Sequence, residues 1–171
     1  LGFFESVSVE RLPGSSPDKS VVKVNVEEQS TGTLSFGAGY SSTNGILGDI
    51  SITERNFLGK GQDVSLNLTV AALKSEIDFS FTEPFFLGRE IRAGFDIFHV
   101  SKDLQDFSSF ETEATGFGLR GGYKITEDLR QDWNYTLKVS KVLSVSTTAS
   151  TLIQSAVGNS TTSLIGHSIS Y

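Results

Sequence analysis

The 171-residue chain contains no cysteine, and this absence removes several classes of function at once. Without a thiol there are no disulfides, no thiolate metal sites and no cysteine nucleophile. The chain also lacks any run of about 18 apolar residues, so the sequence predicts no transmembrane helix. Only 37% of the residues are hydrophobic, which is too few for a helical membrane protein. The net charge of −6, without any basic cluster, argues against a nucleic-acid partner.

Residues that could carry catalysis or bind a metal are few and scattered. The two histidines, His99 and His167, lie far apart, and neither has carboxylates at metal-ligand spacing. The glycine-rich stretch 116–122 is not flanked by a strand and a helix, so it does not predict a phosphate-binding loop. No acid, base and nucleophile converge in one motif. We therefore expect no enzyme activity, no cofactor and no metal ion.

Residues 1–32 differ in pattern from the rest of the chain. Segments 7–9 and 22–26 place valines alternately with polar residues, which predicts two short strands. Turn formers fill residues 13–18 between them. A lone two-stranded hairpin is only marginally stable in water. We therefore expect this segment to need a partner, such as a helix preceding Leu1, and to begin in the middle of a longer protein.

From Thr33 onward, apolar and polar residues alternate with the period of two that half-buried strands require. In segment 64–70, four aliphatic residues alternate with serine, asparagine and threonine. The same alternation recurs along the chain, separated by turn signals. The predicted strands are 34–40, 49–53, 64–70, 77–82, 91–97, 116–120, 133–140, and an eighth that begins near residue 164.

Either a soluble sandwich or a barrel in lipid could use such strands. Some strands run about ten residues, the length that crosses a bilayer at a tilt. The face opposite the apolar residues is built mainly of glycine, serine, threonine and asparagine, which suits a wet lumen. Tight turns contrast with long loops at 101–112 and 144–163, as in outer-membrane barrels. These features favour the lipid barrel. The predicted lipid-facing residues are Val64, Leu66, Leu68, Val70, Phe79, Phe81, Phe95 and Ile97.

Aromatic residues gather where the tight turns are predicted. Phe57, Phe85 and Phe86 flank two of these turns, and Trp133 lies at the start of a later strand. Outer-membrane barrels carry girdles of aromatic residues at both membrane interfaces. We interpret these four residues as part of such a girdle.

Four motifs follow one another along the first hundred residues. Residues 1–7 with 22–28 resemble the closing half of the last POTRA domain, a periplasmic module, of the Omp85 family. Phe36-Gly37-Ala38-Gly39-Tyr40 resembles the first barrel strand of that family. Residues 54–61 (Glu-Arg-Asn-Phe-Leu-Gly-Lys-Gly) and 82–88 (Thr-Glu-Pro-Phe-Phe-Leu-Gly) resemble its first two periplasmic turns. Each motif is moderately specific, and their shared order and spacing make the resemblance strong.

This resemblance implies an all-β fold in two parts. Residues 1–32 would be the C-terminal part of a POTRA domain, a partial β-hairpin. Residues 33–171 would be the N-terminal strands of an antiparallel transmembrane β-barrel, about half of a larger barrel. The implied location is the bacterial outer membrane, with the N-terminal segment in the periplasm. The implied partners are membrane lipid, unfolded outer-membrane proteins and, through the POTRA region, lipoproteins of an assembly complex.

The same resemblance implies that the chain assembles and inserts outer-membrane β-barrel proteins. In this family the first and last barrel strands pair weakly, so the seam can open towards lipid. Backbone groups left unpaired in hydrocarbon cost several kcal/mol each, so an incoming strand would pair with the opened edge. Gly37 and Gly39 would allow its backbone to come close, although lumen-facing positions also suit glycine. The predicted pairing strand comprises Thr33, Leu34, Ser35, Phe36, Gly37, Ala38, Gly39 and Tyr40.

Three other functions fit parts of the pattern. A related Omp85-type secretion or translocation barrel would export a passenger through its lumen. A small eight-stranded barrel would be a structural anchor in the outer membrane. A soluble β-sandwich would be a binding module that needs no detergent.

Overall fold

The computed structural model describes residues 3–16, 18–147 and 149–171. The described chain is almost entirely antiparallel β-structure, which confirms the all-β prediction. Within these ranges no helix is long and apolar enough to cross a membrane. The strands are β1 (Phe4–Pro13), β2 (Ser20–Glu28), β3 (Gly32–Ser41), β4 (Gly45–Phe57), β5 (Gln62–Ala71), β6 (Lys74–Glu83), β7 (Ile91–Asp103), β8 (Glu111–Lys124), β9 (Arg130–Leu143) and β10 (Gly158–Ser170). The short helices are a 3-10 turn (Phe86–Gly88), α1 (Gln105–Ser108) and α2 (Thr151–Ser155).

The chain forms two compact units, and the first is Leu1–Gly32. It is the hairpin of β1 and β2, paired antiparallel so that Val9 lies opposite Val24. The turn is closed where Gly14 N–H donates to the Lys19 carbonyl at 3.0 Å. None of the described residues of this unit is buried, so its valines can still pack against a further element. That this hairpin ends a POTRA domain remains a prediction.

The second unit, Thr33–Tyr171, is a single eight-stranded antiparallel sheet. Its strand order is β10-β9-β8-β7-β6-β5-β4-β3, so each strand pairs with its neighbours in the sequence. The strands are 10 to 14 residues long, enough to cross hydrocarbon at a tilt. Over the described residues, no pairing of β3 with β10 closes the sheet. The order therefore does not support the alternative of a closed eight-stranded barrel.

Most of the predicted strands were too short: the strands predicted at 49–53 and 116–120 are Gly45–Phe57 and Glu111–Lys124. The last strand begins at Gly158 and not near Leu164, and β7 continues to Asp103. Residues 158–163 are glycine, asparagine, serine and threonine, so no apolar alternation marks them as a strand. They nevertheless form a regular ladder with β9, in which Thr161 lies opposite Val139. Pairing with a neighbouring strand therefore sets the start of β10, and side-chain hydrophobicity does not.

The connections differ between the two ends of the sheet. At one end, which we call the turn end, they are residues 58–61, 84–90 and 125–129. At the opposite loop end they are residues 42–44, 72–73, 104–110 and 144–157. The last two carry α1 and α2, and both are shorter than predicted because the strands are longer. Connections 84–90 and 104–110 are equally long, so the contrast between tight turns and long loops rests mainly on the connection 144–157.

The pairing register separates the sheet into an apolar face and a polar face. Residues directly opposite each other in an antiparallel ladder project to the same side. One such row crosses five strands, from Ile52 through Leu66, Phe79 and Ile97 to Phe117. All eight residues predicted to face lipid lie on this side of the sheet. The opposite side carries most of the serines, threonines, asparagines and charges of the strands.

The sheet has no core in the sense of a soluble domain. Among the described residues, no hydrophobic side chain is buried, and the one buried polar residue is Thr82. A soluble sandwich would cover its apolar face with a second sheet at about 10 Å. The apolar face instead stays open across β4 to β10, with Ile165, for example, 70% exposed. The second unit is a partial barrel-like sheet and not a sandwich.

Candidate pairing edge and membrane surface

β3, the predicted pairing strand, lies at one end of the sheet and has β4 as its neighbour in the strand order. Its apolar side chains are among the most exposed in the chain, with Phe36 at 72% and Tyr40 at 77%. Alternate residues of an edge strand direct both backbone groups away from the sheet. β3 therefore combines a free backbone edge with an apolar side.

The two glycines of β3 have different surroundings, which sequence reasoning did not distinguish. The Asp49 carboxylate of β4 occupies the space that a Cβ on Gly37 would need. A Cβ on Gly39 would meet the Leu47 side chain at 3.5 Å, an ordinary van der Waals distance. Of the two glycines, only Gly37 has its Cβ position occupied, and a larger residue there would force the Asp49 carboxylate to move. Asp49 belongs to the polar face, so both glycines face that side.

The polar face holds a network of ion pairs towards the turn end. Arg120 Nε donates to the Asp96 carboxylate at 2.7 Å, and Arg120 Nη2 donates to Thr82 Oγ1 at 3.2 Å. Asp132 accepts from Arg130 Nε at 2.9 Å and pairs with Arg92 at 3.3 Å. The side chains of Arg120 and Asp96 remain 42% and 32% exposed. Charged groups that are paired but still partly exposed suit a water-filled lumen better than a packed interior.

The two segments that resemble periplasmic turns are built in the same way. Residues 53–59 and 82–88 share the pattern Thr-Glu-x-x-Phe-Leu-Gly. The leucine of each turn has a φ of 57°, and the glycine that follows has a φ of 71°. In each, the glutamate accepts a hydrogen bond from the backbone N–H two residues later, at 2.8 Å in the first turn and 2.9 Å in the second. The internal repeat could have been read from the sequence, but the left-handed leucines could not.

A hydrogen bond joins these two turns. Gln62, the first residue of β5, donates from Nε2 to Glu83 Oε2 at 2.6 Å. The other carboxylate oxygen of Glu83 accepts the N–H of Phe85 within its own turn. Glu83 therefore fixes the second turn and ties it to the first.

Aromatic residues cover much of the apolar face. Ring centroids of Phe81 and Phe95 lie 5.6 Å apart, and those of Phe95 and Phe117 lie 6.5 Å apart. Nearer the turn end, Trp133 stacks on His167 with a centroid distance of 4.2 Å. Trp133 is 48% exposed. Its role in an interfacial girdle remains a prediction.

Metal-binding chemistry has no support in the geometry of the described ranges. Within them, no group of three or more histidine, cysteine or acidic residues could hold an ion. His99 Nδ1 shares a hydrogen bond with Thr115 Oγ1 at 2.8 Å, whereas His167 contacts Gln131 at 2.8 Å. The two histidines therefore belong to separate side-chain contacts.

Comparisons with known proteins give the same fold and family. "Outer membrane protein assembly factor BamA" of Neorickettsia risticii is 27% identical over 171 residues, 99% of this chain and 23% of that protein. The BamA protein of Nitratidesulfovibrio vulgaris is 29% identical over 164 residues, 95% of this chain and 20% of that protein. This chain thus spans roughly a fifth to a quarter of the length of these relatives.

A solved structure extends the match to the fold. The crystal structure of BamA from Haemophilus ducreyi lacking POTRA domains 1–3 superposes with a TM-score of 0.73 at 21% identity. The superposition covers 98% of this chain and 35% of that one. The predicted outer-membrane location is confirmed by these matches. The Omp85 superfamily domain matches residues 56–171, more than half of the sequence, so the chain belongs to the Omp85 superfamily.

Proposed function

We propose that this chain takes part in the assembly and insertion of outer-membrane β-barrel proteins, with β3 as the strand on which a substrate strand pairs. The observation that supports this best is the place of β3 at the end of the sheet order. The names of the relatives, outer membrane protein assembly factors, agree with this role. The mechanism needs backbone hydrogen bonds and no catalytic side chain or cofactor.

The energetic basis is the unpaired backbone of an edge in a membrane. About half of the 10 residues of β3 direct N–H and C=O groups outward, because the groups alternate along an antiparallel strand. In hydrocarbon each unpaired group costs several kcal/mol. A substrate strand that adds to β3 satisfies these groups by β-augmentation. The edge thus lowers the free energy of the first strand pair of the entering protein.

The glycines of β3 favour exchange of the paired strand. On the polar side, Gly37 and Gly39 contribute no side chain to contact with a guest strand. On the apolar side, Leu34 and Phe36 give contacts that do not depend on the exact guest sequence. Pairing through backbone and apolar contact therefore suits many substrates, and its modest packing allows release.

We further propose that the apolar face contacts membrane lipid. The supporting observation is its continuity from β4 to β10 without a covering layer among the described residues. The hairpin of β1 and β2 would contact lipoproteins of an assembly complex, because Val22 and Val9 on it are 62% and 66% exposed. Unfolded outer-membrane proteins would meet the edge of β3 from within the bilayer.

Cysteine cross-linking tests the pairing edge directly, since the chain has no cysteine of its own. Ser35→Cys places a thiol on β3, and Ser80→Cys places one on the same polar face of β6, between β5 and β7. We expect Ser35→Cys to cross-link to a substrate stalled during insertion, and Ser80→Cys not to react with it. If Ser35→Cys never captures a stalled substrate, β3 is not the pairing edge.

The same pair of variants distinguishes the secretion alternative. The polar face with its ion pairs could line a path for an exported passenger. A passenger in the lumen would pass Ser80, so Ser80→Cys would then capture it more efficiently than Ser35→Cys. That outcome would favour translocation over strand pairing.

A further inference from the structure

An apolar groove lies on the lipid-facing side of the sheet at its turn end. Its floor and walls are Phe81, Ala93, Phe95 and Leu119, and Phe86 closes it from the second turn. By register, the four strand residues all belong to the apolar face. The groove has a volume of about 400 Å³, within the range of about 300–1,000 Å³ typical of small-molecule sites.

The groove exists because small residues interrupt a face of large ones. Ala93 lies opposite Glu83 on one side and Gly121 on the other. A Cβ added to Gly121 would meet no atom within 4 Å, so the space beside Ala93 is open. The next row towards the loop end consists of Phe81, Phe95 and Leu119, which form a bulky wall. A flexible hydrocarbon chain fits such a depression better than a rigid side chain of a folded partner.

One end of the groove carries a carboxylate, whereas the Arg120 guanidinium that also borders the groove is already paired with Asp96 at 2.7 Å. Gln62 and Glu83 border it and hydrogen-bond to each other at 2.6 Å. The second hydrogen bond to Glu83, from the N–H of Phe85, holds the carboxylate at the rim. A carboxylate is costly inside hydrocarbon, so this end belongs at the level of the lipid headgroups.

We propose that the groove holds one acyl chain of a phospholipid whose headgroup carries a primary ammonium, with that ammonium paired to Glu83. The proposal rests on the lipid-facing assignment of the apolar face made above. The aromatic walls provide the apolar contact, and the fixed carboxylate provides the charge complementary to the ammonium. A primary ammonium donates hydrogen bonds to a carboxylate, whereas the quaternary ammonium of a choline headgroup has no N–H. The site therefore discriminates between two zwitterionic headgroups of equal net charge.

The test uses a single tryptophan in the groove and brominated lipids as quenchers. Phe86→Trp is made in the full-length protein with Trp133 and every other tryptophan changed to phenylalanine. The protein is reconstituted in vesicles that contain rising fractions of brominated phosphatidylethanolamine or brominated phosphatidylcholine. We expect half-maximal quenching at an ethanolamine-lipid fraction about two- to fivefold lower than for the choline lipid, the selectivity that one partly exposed ion pair supplies. Glu83→Gln should remove this preference, and Ala93→Leu should reduce quenching by both lipids.

The control is Phe117→Trp, on the open part of the same face. It should be quenched equally by both lipids, because no carboxylate lies beside it. If the tryptophan at position 86 shows identical curves for the two lipids, the proposed site does not exist. If the tryptophan at position 117 is not quenched at all, the apolar face does not contact lipid, and the lipid-facing assignment itself fails. The two failures are therefore distinguishable.

Discussion

Arginine substitutions in the middle of β5 test the two faces of the sheet. Leu66 and Asn67 are adjacent at the centre of β5 and project to opposite sides. Leu66 lies between Ile52 and Phe79 on the apolar face. Because arginine near the bilayer midplane costs about 2–4 kcal/mol, Leu66→Arg should lower the free energy of unfolding by that amount.

Asn67→Arg, the matched control, should have a much smaller effect. It removes the hydrogen bond that Ser51 Oγ donates to Asn67 Oδ1 at 2.7 Å, worth about 0.5–1.5 kcal/mol. Asp78 lies directly opposite Asn67 and would pair with the new guanidinium. Such an exposed ion pair would stabilise the folded protein by about 0–1 kcal/mol. The net loss should therefore be about 1.5 kcal/mol or less.

Urea unfolding of the full-length protein in phospholipid vesicles, followed by tryptophan fluorescence, measures both values. We expect Leu66→Arg to be less stable than Asn67→Arg by about 2 kcal/mol. Equal losses would mean that both faces are packed, which would refute the wet lumen. A reversed order would mean that β5 is displaced by one residue, because a one-residue slip exchanges the faces.

Four further outcomes are expected. Gly37→Ala should slow substrate assembly in an insertion assay, because its Cβ would overlap Asp49, whereas Gly39→Ala should not; equal rates would mean that the space at Gly37 is unimportant. A reversible disulfide that ties β3 to the strand closing the intact barrel should abolish assembly until it is reduced; normal assembly by the locked protein would make the edge merely structural. Arg120→Gln should lower the free energy of unfolding by less than about 1 kcal/mol, because its ion pair with Asp96 is solvated; a loss of about 3–5 kcal/mol would indicate a buried pair. The isolated chain should self-associate in detergent through its open strand edges, so a monodisperse, heat-modifiable monomer would contradict the open sheet.

The strands with strongly apolar alternation were predictable from the sequence, and the polar ones were not. Segments 64–70 and 77–82 both show the period of two directly, which puts Leu66 and Phe79 on apolar faces, but that they lie directly opposite each other is known only from the pairing register. Residues 158–163 carry no such signal, because their strand structure comes from hydrogen bonds to β9. The local sequence shows which residues favour an apolar environment. It does not show that a polar segment becomes a strand because it pairs with a neighbouring strand.

The candidate site, too, was predictable from the sequence only in part. The resemblance of segment 36–40 to a first barrel strand points to β3. That Gly37 makes room for Asp49 depends on the pairing of two strands and cannot be read from either one alone. The groove likewise requires the register that puts Ala93 opposite Gly121. Sites formed by the alignment of several strands become visible only when that alignment is known.

The strand order has a consequence for how the sheet forms. Because every strand of the second unit pairs with its neighbour in sequence, each pairing closes only the one connection between two successive strands. Such a sheet can grow by zipping, one hairpin at a time, and at every stage the newest strand presents an open edge. Each added strand forms hydrogen bonds with the open edge and presents a new open edge of its own. The step by which this chain extends its own sheet is therefore the step that β3 would offer to a foreign strand under the proposed function, and the same backbone hydrogen bonds would serve both.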